Sequence, residues 1–123
     1  DLPAFLATRD IDPTRAYNLS KEAVIAYTKS LTQPLLARDI RVNSISPAPV
    51  ATDILGDFMA ALGDRAAQAI ALPGRAGKPE EVARVIAFLA SEESSWIKGE
   101  NILVDGGVSA MVTSSELGLT AEA

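Results

Sequence analysis

Tyr17-Asn18-Leu19-Ser20-Lys21 places a phenol and an ammonium four residues apart, near the start of the longest helical pattern in the chain. Residues i and i+4 lie on one face of a helix, about one turn apart. A cation beside a phenol favours the phenolate, so the pair predicts a tyrosine that exchanges a proton with a carbonyl or an alcohol nearer neutral pH. The alternative is a solvated lysine one turn from a packed tyrosine, and the flanking sequence decides between the two.

The helical pattern around this pair runs from residue 15 to about residue 38. Small and apolar residues recur there at spacings of three and four, which predicts one packed face: Leu19, Ala23, Ala26, Ser30 and Leu31. Asp12-Pro13 predicts the helix start, with a capping aspartate before a proline, although a surface loop fits equally well. Pro34 cannot donate its helical hydrogen bond, so it predicts a kink or a loosened last turn. Upstream, one helical turn is predicted around Phe5.

Two short strands are predicted further along the chain. Residues 40–46 carry β-branched side chains and end at Pro47-Ala48-Pro49, which stops a strand. Residues 101–104 form the second apolar run, and Asp105-Gly106-Gly107 closes it with a tight turn.

Residues 52–77 lie between these strands and are predicted to form helical turns interrupted by Gly56, Gly63, Gly74 and Gly77. A segment of this length between core elements is often a lid or a binding loop. The plain alternative is a covering helix pair without a functional role. Pro79-Glu80-Glu81 then predicts another helix start, and an apolar stripe follows it to about residue 91: Val82, Val85, Ile86 and Leu89.

The order helix, strand, helical segment, helix, strand predicts an α/β fold with parallel pairing through right-handed crossovers. Two parallel strands do not form a stable sheet alone, because parallel sheets need several strands and covered faces. The chain begins at Asp1 without methionine. We therefore expect residues 1–123 to be the C-terminal half of a single domain, with the remaining strands supplied by an absent N-terminal portion or by a partner chain.

Composition narrows the function. The net charge is −5, from 11 basic and 16 acidic side chains without a basic cluster, which argues against a nucleic-acid partner. Cysteine and histidine are both absent, so no thiolate or imidazole metal site is expected, and acid–base chemistry falls to Tyr, Lys, Asp or Glu. No apolar run reaches the length of a membrane span. We expect a cytoplasmic protein without a metal.

Several motifs occur in a fixed order along the chain. Tyr17-x-x-x-Lys21 is followed by Asn43-Ser44-Ile45-Ser46-Pro47, Thr52, Arg75-x-Gly77-x-Pro79-Glu80-Glu81, Gly99-Glu100-Asn101-Ile102 and Val104-Asp105-Gly106-Gly107. This set resembles the C-terminal half of a short-chain dehydrogenase/reductase, over residues 17–107. Ser95-Trp96-Ile97 and the residues from Asp105 to Ala110 are similar to the branch that contains coniferyl-alcohol dehydrogenase and 3-alpha-hydroxysteroid dehydrogenase.

The resemblance implies a doubly wound, Rossmann-like parallel sheet and roles for individual residues. Tyr17 would be the general acid or base, and Lys21 would activate it and hold the nicotinamide ribose. The turn after the first strand would complete the cofactor site through Pro47, Ala48, Val50 and Thr52. The cofactor would be NAD or NADP, and the residue that distinguishes them lies outside this chain.

Two family features have no match here: the glycine-rich pyrophosphate turn and the substrate-binding serine that precedes the tyrosine. The family also has Pro-Gly where this chain has Pro47-Ala48, and alanine disfavours a positive φ.

The resemblance also suggests substrate-pocket residues on the segment 52–77, with core packing as the alternative role: Ile54, Phe58, Met59 and Leu62. Asn43 is expected to support the strand end, Asp105-Gly106-Gly107 to be structural, and Trp96 to be a packing residue.

Two functions remain open at this point. The first is an NAD(P)-dependent oxidoreductase that interconverts a small-molecule alcohol and a carbonyl. When full length it would be a homodimer or homotetramer that packs through Ala23, Ala26 and Ser30. The second is a catalytically incomplete fragment, or an assembly subunit without activity of its own. An isolated chain is expected not to bind a dinucleotide tightly, because the phosphate-binding half is missing.

Overall fold

A computed structural model of the chain describes residues 11–119. The helical turn predicted around Phe5 lies outside this range. The described residues form five α-helices, one 3₁₀ turn and two strands: α1 Pro13–Leu36, β1 Ser44–Pro47, α2 Leu55–Leu62, α3 Asp64–Ala71, α4 Pro79–Ala90, the 3₁₀ turn Glu92–Ser94, β2 Asn101–Val104 and α5 Val108–Glu116.

The two strands pair in parallel, as predicted, with a register that runs from Ser44 opposite Asn101 to Pro47 opposite Val104. Strand β2 has its predicted bounds. Strand β1 begins at Ser44 rather than at Ile40, because within residues 11–119 residues 40–43 have no ladder partner. The amide of Gly99 donates to the carbonyl of Val42 at 2.8 Å, and Gly99 turns the chain away at a φ of 77°.

Polar side chains fix this pairing from one end. Asn43 donates through Nδ2 to the Ile97 carbonyl at 2.9 Å and accepts from the Glu100 amide through Oδ1 at 3.0 Å. The prediction that Asn43 supports the strand end is confirmed. Asn101 Oδ1 accepts from the hydroxyls of Ser44 and Ser46, each at 3.0 Å, so the two strands are also tied through their side chains.

Helix α1 begins where Asp12-Pro13 predicts. Asp12 Oδ1 accepts a hydrogen bond from the Arg15 amide at 2.9 Å, and Pro13 occupies the first turn, where its missing N–H costs nothing. The helix continues through Pro34 to Leu36. Pro34 lies in the last turn, so it interrupts the hydrogen-bond ladder only next to the end of the helix.

The face of α1 that contacts the rest of the chain is not the predicted one. Helix α1 packs against β1, and Thr28 on its contacting face is only 6 % exposed. Tyr17 and Lys21 precede Thr28 by eleven and seven residues, spacings that put all three on one side of a helix. The opposite face is exposed among the described residues: Leu19, Ala23, Ala26 and Ser30.

The segment between Val50 and Gly77 is closed at its base. These two residues form an isolated parallel bridge, in which the Ala51 amide donates to Gly77 at 2.8 Å and the Gly77 amide donates to Pro49 at 2.9 Å. The predicted helical turns are helices α2 and α3, separated by Gly63 at a φ of 52°. Gly56 lies inside α2, so the break predicted there is wrong.

Helix α4 starts at the predicted proline and is anchored by Glu81. Its carboxylate accepts from the Lys78 amide at 2.7 Å and forms a two-pronged ion pair with Arg75, at 2.7 and 2.8 Å. The predicted apolar stripe of α4 is only half buried, and Ile86 is 52 % exposed.

Helix α5 was not predicted, and Asp105 provides its start. Asp105 accepts from the amides of Gly107 and Ser109 at 3.0 and 2.9 Å, so the predicted tight turn also holds the first turn of a helix. The pKa of Asp105 lies below its usual range. The main cause is a hydrogen bond from the Ser109 side chain, followed by hydrogen bonds from the amides of Ser109 and Gly107, which together outweigh the effect of burial.

Very little apolar surface is buried by the described residues themselves. Within residues 14–119, Pro49 and Ala66 are the two buried apolar side chains. Trp96 is 92 % exposed, so the prediction that it packs is wrong for this part of the chain. A two-stranded parallel sheet with open faces agrees with the expectation that further strands and helices complete the fold.

Candidate active site

The Tyr17–Lys21 pair has the geometry that its spacing predicts. Lys21 Nζ lies 5.2 Å from the centroid of the Tyr17 ring, within the range of a cation–π contact. The Tyr17 side chain is 43 % exposed, so its hydroxyl has access to a ligand. The neighbouring Ser20 hydroxyl donates to the Tyr17 carbonyl at 2.7 Å and is therefore engaged with its own helix.

Phe58 on helix α2 contacts the Tyr17 ring near the amino-terminal end of α1. The Phe58 and Tyr17 rings meet edge to face, with centroids 6.2 Å apart and an interplanar angle of 72°. Edge-to-face contact is a favourable arrangement for aromatic pairs. Because α2 follows the carboxyl end of β1 along the chain, this contact brings Tyr17 to the segment that leaves the sheet edge.

A slot of about 140 Å³ opens beside this aromatic pair, lined by Thr14, Tyr17, Phe58, Ala61 and Leu62. Of the predicted substrate-pocket residues, the structure brings Phe58 and Leu62 to the slot. Ile54 is 69 % exposed and does not line it, and Met59 is half-buried elsewhere on α2. Sequence reasoning missed Thr14 and Ala61, although their spacings from Tyr17 and Phe58 place them on the same helix faces.

The predicted cofactor residues after β1 lie at the carboxyl edge of the sheet. Pro47 ends β1, and the Ala48 amide donates to the Val104 carbonyl at 3.3 Å. Val50 forms the bridge with Gly77, and the exposed Thr52 hydroxyl donates to the Val50 carbonyl at 3.4 Å. Among residues 11–119, Asp39 is the one non-glycine residue with a positive φ, so Ala48 is free of the strain expected there.

A larger cavity of about 400 Å³ also lies at this edge, and sequence reasoning did not anticipate it. It includes Ala48 but not Tyr17. Its other lining residues come from the segment before α4, from the first turn of α4, and from the end of β2 with the turn that follows: Pro73, Arg75, Gly77, Glu81, Val82 and residues 103–107. Its charged groups are already engaged, because Arg75 binds Glu81 and Asp105 caps α5. Open α/β sheets bind ligands outside the carboxyl ends of their strands.

Neither a metal centre nor a membrane span is found in the described part of the chain. Residues 11–119 contain no cluster of three or more acidic side chains arranged to hold an ion. No helix in the same range is long and apolar enough to cross a bilayer.

Known proteins resemble this chain over most of its length. A family model described as enoyl-(acyl carrier protein) reductase matches residues 3–109. Coniferyl-alcohol dehydrogenase from a Pseudomonas species is 41 % identical over 111 residues, which cover 87 % of this chain and 43 % of the relative.

Solved structures of related enzymes also resemble this chain. The 3-ketoacyl-(acyl-carrier-protein) reductase of Brucella melitensis, complexed with NADH, is 36 % identical with a TM-score of 0.66, covering 76 % of this chain and 36 % of that one. A mutant short-chain dehydrogenase/reductase of Serratia marcescens is 35 % identical with a TM-score of 0.67, covering 82 % of this chain and 40 % of that one. The chain therefore spans about two fifths of the length of these proteins.

Proposed function

Because the chain belongs to the short-chain dehydrogenase/reductase family, we propose that it supplies the proton-transfer and nicotinamide-binding part of an NAD- or NADP-dependent oxidoreductase. The reaction interconverts an alcohol and a carbonyl. One observation carries the proposal: the Lys21 ammonium lies 5.2 Å from the centre of the Tyr17 ring, on the face of α1 that packs toward the sheet.

Tyr17 transfers the proton in this proposal. In the oxidation of an alcohol, its ionised hydroxyl accepts the proton that leaves the substrate oxygen; in the reverse direction, the neutral hydroxyl donates that proton to the carbonyl oxygen. A neighbouring cation stabilises the ionised form of a phenol. In this proposal Lys21 therefore assists the step through its positive charge. In this proposal the edge-to-face contact with Phe58 helps to orient the Tyr17 ring.

The residues after β1 fit the nicotinamide end of the cofactor. Ala48 lies at the carboxyl edge of the sheet, where ligands of such folds bind, and its backbone is unstrained. Thr52 offers an exposed hydroxyl whose present hydrogen bond is long, and Val50 supplies backbone groups. The bound nicotinamide would supply the hydride chemistry. The pyrophosphate end has no matching glycine-rich turn in this sequence.

The working protein is proposed to be a cytoplasmic homo-oligomer that uses the exposed face of α1. The small side chains of this face would allow a second copy of the helix to approach closely, with Ala23, Ala26 and Ser30 at the contact. Contacts of this kind would also cover Leu19, which is 42 % exposed.

A second reading is favoured by the open sheet. With two strands in residues 11–119 and only two buried apolar side chains in 14–119, the 123-residue chain by itself is proposed to be inactive and to need the rest of the sheet. Titration of the purified chain with NADH or NADPH, followed by fluorescence, tests this reading. Binding at micromolar concentration would contradict it.

The proton role is tested by Tyr17→Phe in the protein that carries this chain, assayed with alcohol substrates and either cofactor. We expect cofactor affinity to change little and kcat to fall by about 10²-fold or more. The chain offers a matched control in Tyr27, which lies on the same helix and is 64 % exposed. Tyr27→Phe should retain turnover, and normal turnover by Tyr17→Phe would refute the proposal.

A further inference from the structure

The slot beside Tyr17 is built from one face of each of two helices. Helix α1 contributes Thr14 and Tyr17, and helix α2 contributes Phe58, Ala61 and Leu62. Spacings of three and four residues place these side chains together on their helices. The slot therefore touches the ring of the proposed proton-transfer residue directly.

The lining of the slot is mainly apolar. Phe58, Ala61 and Leu62 present only hydrocarbon, and no charged side chain is among the lining residues. Thr14 and Tyr17 are the lining residues that carry a hydroxyl, and the surface of the slot is almost entirely apolar. A charged or polyhydroxylated group placed here would lose its hydration without gaining enough partners, whereas an apolar group would gain from leaving water.

The size of the slot restricts its occupant. Its volume is about 140 Å³, and an apolar cavity of about 150 Å³ is large enough to hold a benzene ring. Ala61 has the smallest of the lining side chains, so a larger side chain at that position would occupy part of the available space.

We propose that this slot holds an apolar substituent, of about the size of a phenyl ring, attached to the reacting carbon of the substrate. This inference rests on the proposed function. Ala61, Phe58 and Leu62 then determine specificity. The substrate class is an alcohol, or its carbonyl counterpart, that carries such an apolar substituent, and an alcohol without one is a poor substrate.

The test compares three alcohols with the protein that carries this chain: 1-phenylethanol, 2-propanol and lactate. We expect kcat/KM for 1-phenylethanol to exceed that for lactate by at least tenfold. Ala61→Phe, which fills the slot, should lower kcat/KM for 1-phenylethanol at least tenfold and leave that for 2-propanol within about threefold. Ala60→Phe is the matched control, because Ala60 is the neighbouring exposed residue of α2 and does not line the slot.

A binding measurement separates this inference from the proposed function. Saturation-transfer NMR reports contact of 1-phenylethanol with the protein whether or not turnover occurs. Binding that is lost in Ala61→Phe but kept in Ala60→Phe supports the slot, even if no alcohol is oxidised, in which case the proposed function alone fails. Equal use of lactate and 1-phenylethanol, or equal effects of the two phenylalanine substitutions on binding and turnover, overturns the inference.

Discussion

Lys21 holds its ammonium 5.2 Å from the centre of the Tyr17 ring, one helical turn away. If this cation assists proton transfer, Lys21→Met should lower kcat by about 10²-fold, because it removes the charge while keeping an unbranched side chain. Steady-state kinetics of the protein that carries this chain provide the measurement. Lys29→Met on the exposed surface of the same helix is the control and should leave kcat unchanged. Equal kcat values for the two variants would contradict the role of Lys21.

The exposed face of α1 predicts association between copies. Ala26→Arg places a long charged side chain where a second helix would approach, and we expect a smaller assembly in analytical ultracentrifugation. Ala67→Arg makes the same change at an exposed position of α3 and should keep the wild-type assembly. A wild-type sedimentation coefficient for Ala26→Arg would rule out this face as the interface.

Gly99 is predicted to tolerate no side chain. It is buried, has a φ of 77°, and an added Cβ would collide with the Thr32 hydroxyl on α1. Gly99→Ala therefore combines backbone strain of about 1–2 kcal/mol with a steric cost of about 1–3 kcal/mol. Thermal or urea unfolding measures the sum.

A substitution at Gly74 distinguishes the backbone strain from the steric cost. Gly74 has a similar φ of 81°, but open space surrounds the position of its missing Cβ. Gly74→Ala should cost only the strain of about 1–2 kcal/mol. Equal losses for the two variants would mean that contact with Thr32 does not matter.

The Arg75–Glu81 pair predicts a pH-dependent contribution to stability. Hydrogen bonds from Arg75 and from the Lys78 amide lower the pKa of Glu81 from 4.5 to about 2. A carboxyl whose pKa falls on folding stabilises the protein above its unfolded value and loses that contribution as pH drops through its folded value. The Tm of wild type should therefore exceed that of Glu81→Gln above about pH 5, and the difference should shrink from about pH 4.5 toward pH 2.

Glu80 provides the control for this experiment. It is the adjacent carboxylate on α4, and within residues 11–119 it forms no ion pair. The Tm difference between wild type and Glu80→Gln should not follow the same pH profile. A constant Tm difference for Glu81→Gln between pH 7 and pH 3 would contradict the role of the ion pair.

Local signals in the sequence were sufficient for the order of the main helices and strands from α1 to β2. Asp12-Pro13 and Pro79 predicted two helix starts because capping and the missing proline N–H act over a few residues. The Tyr17–Lys21 pair was predictable for the same reason, since helix geometry alone brings positions i and i+4 together.

Features that depend on distant contacts were not predictable. The start of β1 at Ser44 is set by its pairing with Asn101, 57 positions away. Trp96 has an apolar ring that suggests packing, but the described residues provide no surface to cover it. Helix α5 was missed because its starting signal, Asp105, lies three residues before the first helical residue, Val108, and is shared with the glycine turn.

The slot was partly predictable. The family resemblance suggested Phe58 and Leu62 as candidates, but it does not show which residues of the segment face another helix. Ile54 was suggested on the same basis and is 69 % exposed, whereas Ala61 was overlooked because a methyl group gives a weak apolar signal.

The bridge between Val50 and Gly77 has a consequence for protein engineering. The two ends of the intervening segment are already joined by backbone hydrogen bonds. The residues between them can therefore be replaced by a loop of different length without changing the register of the two strands. Val50 and Gly77 are the positions at which a segment from another protein would be joined to this chain. Selectivity could then be redesigned in this segment, with an aromatic residue kept at position 58 to preserve its contact with Tyr17.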